Sequence, residues 1–138
     1  MSKTINQIKQ HEGLRLKMYQ CTAGCNTIGY GRNLDDVGIS QDEAEYMLLN
    51  DVNKVFNQLN DNLSYFAGLN EARQAVLINM AFNMGYTGLM RFKKFLSDVE
   101  NGFFEKASRE MLDSIWATQV GMRSYELSQQ MKTGEFYE

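Results

Sequence analysis

The chain has 138 residues, 43% hydrophobic and 12% aromatic, with no proline and a formal net charge of −3. That is enough for one domain to bury a core without staples, and the composition excludes a disordered or disulfide-scaffold protein. No stretch approaches the roughly 18 consecutive apolar residues of a membrane-spanning helix, and the acidic balance lacks the overall basic character of a nucleic-acid binder.

The first twenty residues are polar and charged, without the apolar run of a secretory signal. The expectation is therefore a product made and kept in the cytoplasm. Ser2 caps a first helix that carries Ile5 and Ile8 on one side, and Gly13 stops it. From Leu14 to Gly31 the pattern changes. Leu16, Met18 and Tyr19 are interleaved with polar residues, and Gly24 and Asn26-Thr27-Ile28-Gly29-Tyr30-Gly31 supply turns, which predicts a hairpin or three-stranded sheet.

Ser40-Gln41-Asp42-Glu43 is a capping box. It opens a helix whose apolar face, Ala44, Met47, Leu48, Val52, Val55, Phe56 and Leu59, runs to about Leu59. Asn70 caps a segment from Ala72 to Met84 that is apolar nearly all round, predicting a central buried helix ended by Gly85. Further helices are expected over Leu89 to Val99, Phe104 to Leu112 and Val120 to Thr133, with Trp116 between the last two in a packing role. The expected fold is α+β in a single domain over residues 1–138. A small sheet lobe (about 14–59) is joined by a long helix to a helical lobe (about 60–138), on which the helix at 2–12 packs. Such lobes leave a cleft suited to an extended polymer.

Charge is uneven along the chain. Between Asp35 and Glu71 there are eight acidic residues and one basic residue, Lys54. Attraction to a polyanion would therefore come from the flanking regions, and the middle segment reads as a solvated helix face. Cys21 and Cys25 make no disulfide framework. A bridge between them would close a very short loop and need an oxidising compartment. Cys25 reads as a small buried hydrophobe, and with His11 as the only histidine there are too few ligands for zinc.

His11-Glu12-Gly13-Leu14-Arg15-Leu16-Lys17-Met18-Tyr19, followed by Cys21-Thr22, Gly24 and Thr27-Ile28-Gly29-Tyr30-Gly31, resembles the active-site segment of phage-type lysozymes, glycoside hydrolase family 24. The likeness continues in Asp42-Glu43-Ala44-Glu45, in Asn79 to Gly85 and around Trp116, and it covers the chain in order. The resemblance implies a lysozyme-like fold. The implied activity is an endolysin cutting the β-1,4 bond between N-acetylmuramic acid and N-acetylglucosamine of peptidoglycan, with host cell lysis.

Glu12 then matches the acid that protonates the leaving oxygen as oxocarbenium character develops. A carboxyl partly desolvated at a helix end suits that work. Arg15 matches the residue that orients the acid. Cys21, nine residues after Glu12, takes the position usually held by aspartate, and Thr27 matches the third catalytic residue. A thiol is mostly neutral at pH 7 unless a cation or helix end favours the thiolate. As a thiolate, Cys21 could stabilise positive charge at the anomeric carbon, orient water or attack directly. Leu34, Phe82, Asn83 and Phe92 match residues lining the substrate groove, and Gln119 and Arg123 match contacts to the peptide stem, where an arginine could meet a carboxylate.

No metal or organic cofactor is implied. The resemblance further implies a monomer without nucleic-acid partners or stable membrane insertion. It would be made in the host cytoplasm and reach the wall in the periplasm after release through a holin pore. Two other readings stay open at this point: a wall-binding protein that lost turnover, and a lytic transglycosylase leaving anhydro-sugar ends.

Overall fold

A computed structural model describes all residues, 1–138. The chain divides into two compact units, Met1–Met47 and Leu48–Glu138. The fold is α+β, with one three-stranded sheet and a set of helices.

The first unit opens with α1, Ser2–Glu12. Its helix starts one residue earlier than a Ser2 cap would place it, since Met1 is the N-cap residue and offers no side-chain oxygen. Gly13, at φ +72°, ends it, with its N–H on the Lys9 carbonyl. The antiparallel sheet runs in the order β1 (Arg15–Gln20), β2 (Asn26–Gly29), β3 (Arg32–Asn33). Tyr19 faces Thr27 and Gln20 faces Asn26, with a register irregularity nearer Arg15. Residues two apart on a strand share a face, so Tyr19 and Thr27 lie on the face toward which the following pair, Cys21 and Cys25, also belongs. Thr27, 4% exposed, is the one buried residue of this unit.

The capping box forms as expected. Ser40 Oγ accepts from the Glu43 N–H at 3.2 Å, and Glu43 Oε1 accepts from the Ser40 N–H at 2.8 Å. The same Oε1 takes Arg32 Nη1, which ties β3 to the start of α2, Gln41–Asn62.

The second unit holds the core. Leu59, Phe66, Val76, Leu77, Met80, Leu89, Phe95, Val99, Ala107, Met111 and Met131 are essentially inaccessible. Its centre is α3, Glu71–Met84, capped by Asn70 Oδ1 and ended by Gly85 as the sequence predicts. Two boundaries differ from expectation. The single helix expected over Leu89–Val99 is two, α4 (Tyr86–Met90) and α5 (Lys93–Glu100). Six residues along one straight helix would turn Leu89 and Phe95 to different faces. The break at Arg91-Phe92 lets both enter the core, where each is at most 1% exposed.

After α6 (Phe104–Leu112), Trp116 lies inside a short helix, α7 (Ile115–Val120), rather than between helices. Ser114 starts α7, its Oγ accepting from the Ala117 N–H at 3.1 Å. Gly121, at φ +61°, separates α7 from α8, Met122–Thr133. Helix α8 packs on α3 and α6. Arg73 of α3 serves the end of α8, donating to the Met131 and Lys132 carbonyls while stacking on Phe104 at 3.6 Å.

Candidate active site

The three expected catalytic residues all fall in the first unit: Glu12 ends α1, Cys21 follows β1 and Thr27 lies in β2. Cys21 follows β1, and its backbone N–H donates to the Cys25 carbonyl at 2.9 Å. The reciprocal ladder bond is not made. The Cys21 carbonyl instead accepts from Gly24, and the Cys25 N–H donates to the Cys21 sulfur at 3.2 Å. Backbone N–H groups of Cys25 and Ala23 pull the Cys21 thiol below its ordinary pKa, with a smaller contribution from the Cys25 thiol facing it. The Cys25 thiol is pushed up by that same neighbour. Of the two sulfurs, Cys21 is therefore the one that gives up its proton first.

Thr27 sits diagonally across the hairpin from Cys21, on the same face. Its hydroxyl donates to the Cys25 carbonyl at 3.0 Å and lies near enough to the Cys21 sulfur to favour the thiolate when its proton turns that way. With that proton on Cys25, the oxygen is left as an acceptor. Such an oxygen beside a thiolate can orient a water by taking one of its hydrogens.

Glu12, the last residue of α1, is exposed and lies against Gly31. A Cβ at Gly31 would come within 2.8 Å of the Glu12 carboxyl carbon, so any other residue there would push the carboxyl aside. Lys9, one turn back on α1, places its ammonium over the Tyr30 ring at 5.3 Å, and so fastens the helix to the same loop. Arg15 takes no part in the four ion pairs of the molecule, and its guanidinium rests over Tyr19 at 4.7 Å. Leu34 is half-buried, its N–H on the Asn26 carbonyl at 2.7 Å.

The other expected residues belong to the second unit. Phe82 is 45% exposed and lines a groove of about 610 Å³ together with Val52, Phe56, Ile78, Asn79 and Arg123. Arg123 is held by Asn79, whose Oδ1 accepts from Nε at 2.8 Å and from Nη2 at 2.5 Å. Asn83 accepts from the Trp116 indole at 2.9 Å, which leaves its amide N–H groups free to donate. Phe92 packs edge-on to Phe95 at 6.1 Å against the core, and Gln119 is exposed on α7.

Sequence reasoning missed the contribution of three residues. Cys25 and Gly31 become visible only once the hairpin register and the approach of α1 are known. Asn79 gave a weaker signal, an amide within the apolar run from Ala75 to Phe82, and it proves to be the seat of Arg123.

Residues 9–132 match the phage lysozyme family. The chain belongs to that family. It is 36% identical to an endolysin of Acyrthosiphon pisum secondary endosymbiont phage 1 over 76% of this chain and 72% of that one. It is 28% identical to a probable T4-type lysozyme 2 of Dictyostelium discoideum over 100% of this chain and 98% of the other. It is also 33% identical to an endolysin of Bacillus phage B103, over 78% of this chain and 42% of that longer one. The protein is thus a glycoside hydrolase of the lysozyme type, with peptidoglycan as its substrate. No helix is long and apolar enough to cross a membrane.

Proposed function

We propose that this enzyme hydrolyses the β-1,4 bond between N-acetylmuramic acid and N-acetylglucosamine, and that it does so in lysing its host. Glu12 protonates the leaving oxygen. Cys21, as a thiolate, offsets the positive charge that develops at the anomeric carbon, and Thr27 helps orient the attacking water. The observation that carries this reading is the Cys21 sulfur held by the Cys25 N–H, with the Thr27 hydroxyl on the same face. A thiolate stabilised by backbone donors is the nearest equivalent this chain offers to a carboxylate at that position.

Substrate contacts in this reading come from Leu34 in the first unit and from Phe82, Asn83, Phe92, Gln119 and Arg123 in the second. Phe82 offers an exposed ring to a sugar face, Asn83 offers amide donors, and Arg123 offers the N–H groups that Asn79 leaves free. Arg15 orients the acid when substrate is bound. The protein works as a monomer without metal or cofactor, is made in the host cytoplasm, and reaches the wall in the periplasm after holin-mediated release.

The test is turnover and product analysis on purified peptidoglycan for the wild type, Glu12→Gln, Cys21→Ala and Cys21→Asp. Reducing N-acetylmuramic acid ends should accumulate with wild type, fall by on the order of 10²-fold or more with Glu12→Gln, the scale of general-acid catalysis, and recover in Cys21→Asp relative to Cys21→Ala. An active Glu12→Gln variant overturns the assignment of the acid. Undiminished turnover in Cys21→Ala removes the thiol from the mechanism, and anhydro-sugar products would make the enzyme a lytic transglycosylase.

A further inference from the structure

Cys21 and Cys25 are the only cysteines of the chain, and both are free and half-buried. They adjoin Gln20 and Asn26, the last opposed pair of the hairpin. Tyr19 faces Thr27, Gln20 faces Asn26, and the next pair in that register is Cys21 and Cys25. Directly opposed residues on antiparallel strands have Cα atoms about 4.5–5.5 Å apart, within the ~4.4–6.8 Å that a disulfide spans. Both side chains of such a pair project from one face.

The hydrogen bonding brings the sulfurs together. Had the ladder continued, the Cys25 N–H would go to the Cys21 carbonyl. It goes instead to the Cys21 sulfur, so that sulfur lies across the mouth of the hairpin beside Cys25. Only Thr22, Ala23 and Gly24 separate the two cysteines, and Gly24 makes the turn at φ +83° with open space around it.

We propose that Cys21 and Cys25 form a reversible disulfide, and that closing it withdraws Cys21 from catalysis. The loss of activity rests on the catalytic role given to Cys21 above, whereas the bridge itself does not. The oxidant is a disulfide such as oxidised glutathione. The Cys21 thiolate attacks one of its sulfurs, forming a mixed disulfide and expelling one glutathione thiolate. The Cys25 sulfur, having lost its proton, attacks the Cys21 sulfur of that mixed disulfide and expels the second glutathione. The protein gives up two electrons and two protons, and one glutathione disulfide becomes two glutathione thiols. Because the bridge closes a very short loop, it gains little from restricting the unfolded chain, which places it with the labile disulfides that open again under reducing conditions. The enzyme then leaves the reducing cytoplasm with both thiols free, and bridging in the oxidising periplasm limits how long it stays active there.

The experiment equilibrates the full-length chain in glutathione buffers stepped from reduced to oxidised, quenches it with an alkylating reagent, and reads intact mass and peptidoglycan turnover on the same samples. Cleavage after Lys17 and Arg32 isolates both cysteines in one peptide, where a bridge shows as two unalkylated sulfurs and the loss of two hydrogens. Turnover should fall in proportion to the bridged fraction and return with dithiothreitol. Cys25→Ser should accumulate a glutathione adduct on Cys21 and no bridge. Thiols that stay free, or carry only glutathione at the most oxidising ratio, overturn the proposal. A bridged chain as active as the reduced one also overturns it, and the Cys21→Ala assay then separates the causes. If Cys21→Ala is inactive, the switch alone has failed; if it is active, the catalytic role of Cys21 has failed with it.

Discussion

Gly31 has a φ of +75°, and the space its missing Cβ would fill is occupied by the Glu12 carboxyl. Two costs therefore attend Gly31→Ala. The backbone cost is about 1–2 kcal/mol for a non-glycine residue in the left-handed region. The second is displacement of the acid, and a misplacement of about 1 Å at a reacting group lowers rate by on the order of 10²-fold. Gly38 separates the two, since it has a φ of +60° with open space around it. Gly38→Ala should lose similar stability in thermal unfolding and keep its turnover, while Gly31→Ala should lose both. Equal turnover in the two variants would remove Gly31 from the site. Glu12, Cys21 and Thr27 were singled out in the sequence by the spacing they share with phage-type lysozymes, and the fold sets Cys21 and Thr27 on one face of the hairpin. The roles of Gly31 and Cys25 were not, since a glycine in a glycine-rich loop and a cysteine in a short turn acquire meaning only from what folds against them.

Among the elements, two of the three helix starts capped by a side chain were legible. Ser40 with Glu43 and Asn70 form the hydrogen bonds their spacing predicts. The break at Arg91-Phe92 was not legible, because it is imposed by the need to bury both Leu89 and Phe95 rather than by a local breaker. Ser114 was a readable cap that the apolar run after it obscured. The Ser40–Glu43 box also carries a pH dependence. The Glu43 carboxyl is held at about 2, first by the Arg32 guanidinium and then by the Ser40 N–H and hydroxyl. Its folded pKa lies below the unfolded value of about 4.3, so its stabilising effect is complete above that value and is lost as pH falls toward 2. Amide exchange of the first turn of α2 should accelerate over that window in the wild type. In Glu43→Gln the acid step should disappear, and the turn should already be less protected at pH 7. An unchanged acid step would mean that another group titrates there.

At the scale of the whole chain, burial is divided unequally. Every buried apolar side chain lies at or beyond Leu59, and Thr27 alone is buried before Met47. Opening free energy follows buried apolar contact, so amides of the first unit should exchange faster than those of α3 and α8, and the hairpin that carries Cys21 and Thr27 should belong to the less stable part. The helical unit in turn carries its own titrating pair at the packing of α5 on α6. Asp98 and Glu110 approach each other with side chains 7% and 18% exposed, Lys106 lies 3.6 Å from Asp98, and Lys94 lies 3.2 Å from Glu110. Burial first, and then the bond to Asp98, raise the pKa of Glu110. A carboxyl with a raised folded pKa contributes stability that is complete below the unfolded value and is lost as pH rises through the folded one. Acid therefore weakens the Ser40–Glu43 box, while alkali weakens the α5–α6 contact. Glu110→Gln keeps a donor for Asp98 and removes the charge, so thermal unfolding at pH 8 should rise by a few degrees over the wild type, and the gain should shrink toward pH 4 as Glu110 takes up its proton. A gain of equal size at both pH values would show that packing, rather than the charge on Glu110, sets the stability of this contact.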